Sequence, residues 1–256
     1  MTKDGDRRMQ AIILAAGVGK RLKPLTNDIP KCMVLIKEKP IIYYTMKQLA
    51  KCQQVKEVII VCGYKAEAIQ SYLGDKFDDM KITYIMNEKY ETTNNVYSLF
   101  LTKGRITSDC LLLESDLYYG DGVIEKVLGE EDDCDILVSP YNPKTMNGTV
   151  VFAERGYVKS LVVKAHQDVD IDLSSAYKTV NIYRFSKDFF CNKLMPSVEL
   201  YVQMGNLNSY YELVLGSLIY YRNNRIAIQV VSEDCWYEID DVNDLERAEQ
   251  SKGIND

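Results

Sequence analysis

Three separated groups of residues have the types and spacings that phosphate chemistry needs. The first is the run Leu14, Ala15, Ala16, Gly17, Val18, Gly19, Lys20, Arg21. Small residues let backbone N–H groups approach a polyphosphate, and Lys20 and Arg21 add charge-assisted donors. Leu22 stands where a dinucleotide fingerprint has its third glycine, and no Gly-Lys-Ser/Thr follows as a P-loop requires. The second group is Glu114, Ser115 and Asp116, which follow the apolar Leu111, Leu112 and Leu113. A carboxylate at the end of such a strand can hold Mg²⁺, an ion that keeps waters and bridges to phosphate oxygens. Strand alternation would put Glu114 and Asp116 on one face and turn Ser115 away. The third group is Trp236, Tyr237, Glu238, Ile239, Asp240 and Asp241. Here Glu238 and Asp240 are again two apart, so an extended backbone would aim both at one point and, with Asp116, form a hard-cation site. Asp241 precedes Val242, Asn243, Asp244 and Leu245 and reads as a helix N-cap.

The elements that must position these groups follow from the hydrophobic pattern. Residues 10–15 are apolar after Gln10 and end in small residues, as expected for a strand buried on both faces of a parallel sheet. Similar runs at 58–62, 82–85, 110–114 and 136–139 follow segments of helical spacing, notably 41–51, 66–73 and 96–102. Strand and helix alternating in this way imply crossovers and a Rossmann-like, mostly parallel, doubly wound α/β sheet in a single domain. After Pro140 the pattern changes. Residues 149–153, 157–163 and 179–185 look like strands joined by short turns, an antiparallel insertion or edge that would form a second lobe. Helical segments at 187–201 and 209–222, a strand at 226–231 and a helix from about 242 complete the chain.

Composition bounds the function. With 256 residues, 46% hydrophobic, the chain can bury a full core. A formal charge of −6 argues against a nucleic-acid partner, because neutralising a phosphate backbone needs a basic face. No apolar run approaches the roughly 20 residues of a membrane span. The seven cysteines are scattered without a Cys-x-x-Cys pair, which suits reduced thiols in a cytoplasmic protein. The one histidine, His166, lies in a polar segment and reads as a surface residue.

The glycine run is extended by Leu25-Thr26 and by Pro30-Lys31, and this longer pattern resembles the opening of the sugar-phosphate nucleotidyltransferase superfamily. Within it, PLTNDIPK, the middle segment Asn94-Asn95-Val96-Tyr97-Ser98-Leu99, LLLESDLYY and the closing WYEIDDVNDLERA are similar to bacterial phosphocholine and 2-aminoethylphosphonate cytidylyltransferases. The resemblance implies CTP as donor, Mg²⁺ as cofactor and a small phosphorylated or phosphonate amine as acceptor. It assigns Arg21 to the triphosphate in the transition state, Lys31 to the phosphates and Asp116 to the metal. The domain would occupy residues 10–250, after an extension at 1–9 and before a tail at 251–256 where a longer chain could have been cut. Some members carry this module fused to a kinase or aminotransferase domain. Nothing in the sequence sets an oligomeric state.

Recognition of the base would use backbone edges near Leu14 and Ala15, the Gly63-Tyr64 pair, and Asn94 and Ser98, with helix capping the alternative for Asn94. The acceptor's ammonium needs a carboxylate or an aromatic cage. Tyr211 and Glu212 are the preferred pair, with Tyr118, Tyr119, Tyr141 and Tyr183 as further candidates, and Lys164 or Lys178 would hold the acceptor phosphate. Glu212 tilts the choice toward a primary amine. Such an acceptor is already ionised near neutral pH, so catalysis would rest on positioning and charge neutralisation, without a general base. Two rivals are a hexose-1-phosphate nucleotidyltransferase using UTP or dTTP, and a nucleotide-sensing domain without activity.

Overall fold

The apolar run that begins at Met9 becomes a strand with every residue buried. In this computed structural model residues 8–128, 132–167, 170–222, 224–251 and 254 are described. Residues 1–7 of the expected extension, and 252, 253, 255 and 256 of the expected tail, lie outside the described residues, and Met9 belongs to the first strand.

In chain order the strands are β1 (Met9–Ala15), β2 (Leu35–Ile36), β3 (Lys39–Pro40), β4 (Val55–Cys62), β5 (Lys76–Phe77), β6 (Met80–Met86) and β7 (Asp109–Glu114). They continue as β8 (Leu117–Tyr119), β9 (Cys134–Pro140), β10 (Val150–Glu154), β11 (Tyr157–Val162), β12 (Tyr177–Phe185), β13 (Ala227–Val230) and β14 (Trp236–Glu238). The α-helices are α1 (Ile41–Lys51), α2 (Ala66–Leu73), α3 (Asn95–Phe100), α4 (Met195–Gln203), α5 (Tyr211–Arg222) and α6 (Val242–Glu249), and a π-helical turn at Phe189–Leu194 leads into α4.

Ten strands form one sheet in the order β10-β11-β13-β9-β12-β7-β1-β4-β6-β5. β7, β1, β4 and β6 are mutually parallel, and their side chains alternate between two covered faces. Ala11, Ile13 and Ala15 of β1 pack with Ile42, Met46 and Leu49 of α1 and Ile69 of α2. Ile12 and Leu14 pack on the other face with Val96 and Leu99 of α3 and Val214, Leu215 and Leu218 of α5. That two-sided cover is why the strand reads as unbroken apolar sequence. Each such leucine or isoleucine contributes about 1.5–3 kcal/mol by leaving water.

Antiparallel pairing is not confined to an insertion or edge. β12 runs antiparallel through the middle of the sheet, between β9 and β7. It suits a central slot because all of its residues after Tyr177 are buried. Of its two charged members, Lys178 and Arg184, the arginine is neutralised by Asp109 of β7 at 3.1 Å and Asp135 of β9 at 3.2 Å. β10 and β11 then form the outer antiparallel part.

A small ribbon completes the site's frame. β8 pairs antiparallel with β14, setting Leu117 opposite Glu238, and the N–H of Ile239 donates to the Asp116 carbonyl at 2.9 Å. Acids far apart in the chain are thereby brought side by side. Leu22, Val34, Ile36, Tyr118, Ile239 and Leu245 form a third apolar cluster beneath this ribbon. No helix among the described residues is long and apolar enough to cross a membrane.

Candidate active site

β1 ends at Ala15, and the chain turns over a cavity of about 660 Å³. This lies at the carboxyl ends of parallel strands, where open α/β sheets place their ligands. Leu14, Ala16, Gly17, Gly19, Lys20 and Arg21 line it. Gly19 has φ of 67° and precedes the 3₁₀ turn Lys20–Leu22. A Cβ there would stand 2.9 Å from Lys31 Cβ and 3.2 Å from Thr26 Cγ2, while Thr26 Oγ1 donates to the Gly19 carbonyl at 2.8 Å. Gly19 therefore braces the loop against Lys31. Gly17 differs, since a Cβ there meets no protein atom within 4 Å and its small size answers no packing demand inside the chain.

Across the cavity, cations and acids form one network. Lys31 Nζ lies 2.5 Å from Asp116 Oδ2 and 2.8 Å from Asp240 Oδ1. Arg21 Nη2 reaches the same Asp240 oxygen at 2.7 Å. Burial works against a charged Lys31, but Asp116 and Asp240 reverse the effect and raise it above the usual lysine value. Burial likewise opposes the Asp240 charge, yet Lys31 and Arg21 hold its carboxyl below the usual range. Glu238 is engaged at both oxygens. Lys178 Nζ is 3.0 Å from Oε2, and Asn181 Nδ2 donates to Oε1 at 2.8 Å. Burial raises the Glu238 pKa, with Asp116 and Asp240 adding to the rise and Lys178 opposing it.

Asn181 sits at φ 59°, at the register shift of β12, and accepts from Thr179 Oγ1 at 2.8 Å. The irregular strand lets residues 178 and 181 serve one carboxylate, where strict alternation would separate them. Asp240 is fixed from behind by α6. Asp241 caps this helix, accepting from the N–H groups of Asn243 and Asp244, and the Asp244 carboxylate accepts from the N–H groups of Asp240 and Asp241 at 2.9 and 3.0 Å.

Two more carboxylates, Glu114 and Glu212, line the cavity outside these ion pairs, near enough for Asp116 to act on the first and Lys178 and Glu238 on the second. Asn95 Nδ2 lies 3.1 Å from Glu114 Oε1 and 3.5 Å from Glu212 Oε2. Burial pushes Glu212 up to about 7. Burial, with the charges of Asp116 and Glu212, also raises Glu114 well above the ordinary carboxylate range. Tyr90 and Tyr210 are the aromatic residues of the lining. Lys164, on an exposed 3₁₀ turn with His166, contacts Asn147 Oδ1 at 2.5 Å on the cavity wall. Asn94 caps α3 and also lines the cavity, as does buried Ser98, whose Oγ accepts from Asn87 Nδ2 at 3.1 Å.

Several expectations are corrected. Ala15 packs into the core under α1 instead of facing the ligand space, because the strand's alternation gives that side to Leu14 and Ala16. Gly63 and Tyr64 do not line the cavity. A Cβ at Gly63 would strike Tyr90 Cβ at 2.6 Å and the Ala16 carbonyl at 2.8 Å, Tyr64 N–H donates to that carbonyl at 3.4 Å, and Tyr64 Oη donates to the Asn27 carbonyl. The pair supports the loop. Tyr211 does not share a pocket with Glu212, since adjacent helix positions point about 100° apart. It packs edge-on against Tyr183 in the core, at 5.5 Å between ring centroids. Tyr118, Tyr119 and Tyr183 are buried in the core clusters, and Tyr141 does not line the cavity. Ser115 is not turned away from the site. β7 ends at Glu114, so alternation stops and Glu114, Ser115 and Asp116 all border the cavity.

Asn95 lies within the middle segment that carries the resemblance but receives no role there, and Asn181 carries no signal of its own, because an amide's role is set by partners distant in the chain. A polar residue just past an apolar strand was the signal available for Asn87.

The chain matches the family described as nucleotidyl transferase over residues 10–251. CTP:phosphoglutamine cytidylyltransferase of Campylobacter jejuni is 30% identical over 259 residues, covering 93% of this chain and 98% of that protein. CMP-5'-(3-aminopropyl)phosphonate synthase of Streptomyces rubellomurinus is 29% identical over 243 residues. That alignment covers 94% of this chain but spans only 38% of the relative's length. In fold, the chain is similar to the solved CTP:phosphocholine cytidylyltransferase of Streptococcus pneumoniae, with a TM-score of 0.78 and 24% identity over 95% of this chain and 98% of that one. The resemblance read from the loop and the two acidic segments is borne out at the level of family, and the chain belongs to the nucleotidyl transferase family, as a nucleotidyltransferase enzyme.

Proposed function

We propose that the enzyme transfers the cytidylyl group of CTP to a small phosphate or phosphonate that carries a primary amine, releasing pyrophosphate. The observation that carries this reading is a single cavity with two chemically distinct regions. One joins Arg21, Lys31, Asp116, Glu238 and Asp240, and the other presents Glu114 and Glu212. The names of the similar proteins, one a CTP-dependent cytidylyltransferase and one a synthase of a CMP-linked aminopropylphosphonate, support the choice of CTP.

In the proposed step an acceptor oxygen attacks the α-phosphorus and forms a new P–O bond, while the bond to the bridging oxygen of pyrophosphate breaks. The attacking oxygen is already anionic near neutral pH, so no side chain need remove a proton. Loop N–H groups around Gly17 would hold the triphosphate, with Arg21, Lys20 and Lys31 meeting its charge. Lys164 would meet the acceptor's anionic end, since Lys178 is committed to Glu238.

The residues fit a magnesium ion. Asp116 Oδ1 is buried with no hydrogen-bond partner and is free to coordinate. Among the described residues no three His, Cys, Asp or Glu groups are placed to hold an ion, so the three-acid site expected of Asp116, Glu238 and Asp240 is not assembled here, their oxygens being turned to Lys31, Arg21, Lys178 and Asn181. Asp116 offers the free oxygen, and Asp240 and Glu238 would serve as well once their cationic partners leave them. When bound, the ion supplies positive charge to the phosphate oxygens.

The acceptor's class follows from the lining. A quaternary ammonium favours several aromatic faces, whereas a primary ammonium offers three N–H donors. Glu114 and Glu212 provide acceptors, while Tyr183 and Tyr211 are withdrawn into the core. The test is pyrophosphate release with each of four NTPs against 2-aminoethylphosphonate, phosphoethanolamine, phosphocholine and several sugar 1-phosphates. Turnover with CTP and the primary amines is expected, and turnover confined to a sugar 1-phosphate would refute the reading.

A further inference from the structure

We infer that Lys31 is a resident counter-ion, which closes the metal-side acids to a free divalent cation and releases them when a triphosphate takes its charge. The inference rests on the assignment of Asp116, Glu238 and Asp240 to the metal made above. Lys31 Nζ lies between two of those three acids, at 2.5 and 2.8 Å, and the side chain is only 14% exposed. The same Asp240 oxygen also receives Arg21, and Glu238 receives Lys178. Three carboxylates thus face three cations, and their formal charges cancel.

A bare divalent ion entering this cluster would displace Lys31 from both partners and leave the ammonium partly buried without a counter-charge, a costly state. It would also sit beside Arg21, itself drawn to Asp240, with nothing to offset that charge. A metal–triphosphate complex is a net anion and reverses both objections. Its oxygens offer Lys31 and Arg21 new partners as the acids are given up.

The backbone is built for a swing of the side chain alone. Residues 30–34 are held in a turn by Met33 N–H to the Pro30 carbonyl and Val34 N–H to the Lys31 carbonyl, at 2.9 and 3.1 Å. Lys31 Cβ lies against Gly19, where an added Cβ would come within 2.9 Å. The stem therefore begins against the phosphate-binding loop and ends on the acids. Rotation about its own bonds can carry the ammonium from one to the other.

Mn²⁺ binding to the full chain, followed by the electron paramagnetic resonance of free Mn²⁺, tests this without turnover. Without nucleotide, the wild-type protein should bind Mn²⁺ weakly. Lys31→Met should bind it at least about tenfold more tightly, while Lys31→Arg, which keeps the charge, should resemble wild type. Lys31→Gln carries the same expectation as Lys31→Met, should the latter fail to fold. Adding α,β-methylene-CTP, with correction for Mn²⁺ held by the analogue alone, should tighten binding to wild type far more than to Lys31→Met. Equal or weaker Mn²⁺ binding by both neutral variants would overturn the inference, provided that Asp116→Asn still lowers binding in the presence of the analogue. If Asp116→Asn alters Mn²⁺ binding in neither background, the metal assignment itself has failed.

Discussion

Gly17 and Gly19 are two residues apart in one loop yet answer to different demands. An alanine at Gly19 combines a left-handed backbone with a clash against Lys31. Gly19→Ala should cost about 1–3 kcal/mol in chemical denaturation. An alanine at Gly17 finds open space, so Gly17→Ala should melt like wild type while nucleotide affinity, measured by calorimetry, falls about tenfold or more. Unchanged nucleotide affinity in Gly17→Ala would mean that the loop does not approach a phosphate. The glycine-rich run was legible in the sequence because its composition already states that backbone must come close to something. Which glycine serves the ligand and which serves Lys31 was not, because that depends on a lysine brought in from another turn.

Glu212 gives a pH test at the same scale. Burial lifts its pKa to about 7, above the usual value of a free glutamate, so folding favours the protonated form. Its burial costs stability increasingly as pH rises from the unfolded value through 7. An acceptor ammonium needs the ionised form. The KM for a primary-amine acceptor should therefore fall as pH rises through 7, and Glu212→Gln should flatten that fall while weakening binding. The phosphonate's own ionisation contributes equally to both proteins, so the difference between them reports Glu212. Glu212 was identifiable as an acid in a helical segment. Its separation from Tyr211 follows from helix geometry, and Asn95, which bridges it to Glu114, lies in a different helix.

At the scale of elements, the two acidic segments meet because β8 and β14 pair, and because α6 locks the end of that ribbon. Asp244 completes the cap and holds the Asp240 N–H. Asp244→Ala should destabilise the protein by about 1 kcal/mol, measured by urea unfolding, and should also lower kcat by loosening Asp240. A stability loss with unchanged kcat would separate the cap from the site. The cap at Asp241 was readable, since an acid before a helical start is a local signal. The β8–β14 pairing was not, because three-residue strands carry little pattern. Nor was the bulge of β12, which puts Lys178 and Asn181 on Glu238 against the period of a regular strand.

Across the whole molecule, the parallel strands were legible from their apolar runs, while the central place of β12 was hidden by its buried polar residues. The run 179–185 reads as part of an antiparallel insertion or edge, yet its Arg184 ties β12 to β7 and β9 through Asp109 and Asp135. Burial raises Asp135 to about 6, against the opposing contacts of Gln229 and Arg184. Removing the arginine leaves buried acid without its partner. Arg184→Met should destabilise by about 3–5 kcal/mol in equilibrium unfolding near neutral pH, and a change below about 1 kcal/mol would remove Arg184 from the account of how the two halves of the sheet are joined.

One cavity is proposed to bind a nucleotide at one region and an amine at the other, and the fate of the α-phosphorus tests this most directly. With CTP labelled there and 2-aminoethylphosphonate as acceptor, the label is predicted to appear in an amine-bearing CMP conjugate while the pyrophosphate is unlabelled. Label that stays in CTP with every primary-amine acceptor, while a sugar 1-phosphate takes it up, would contradict the account.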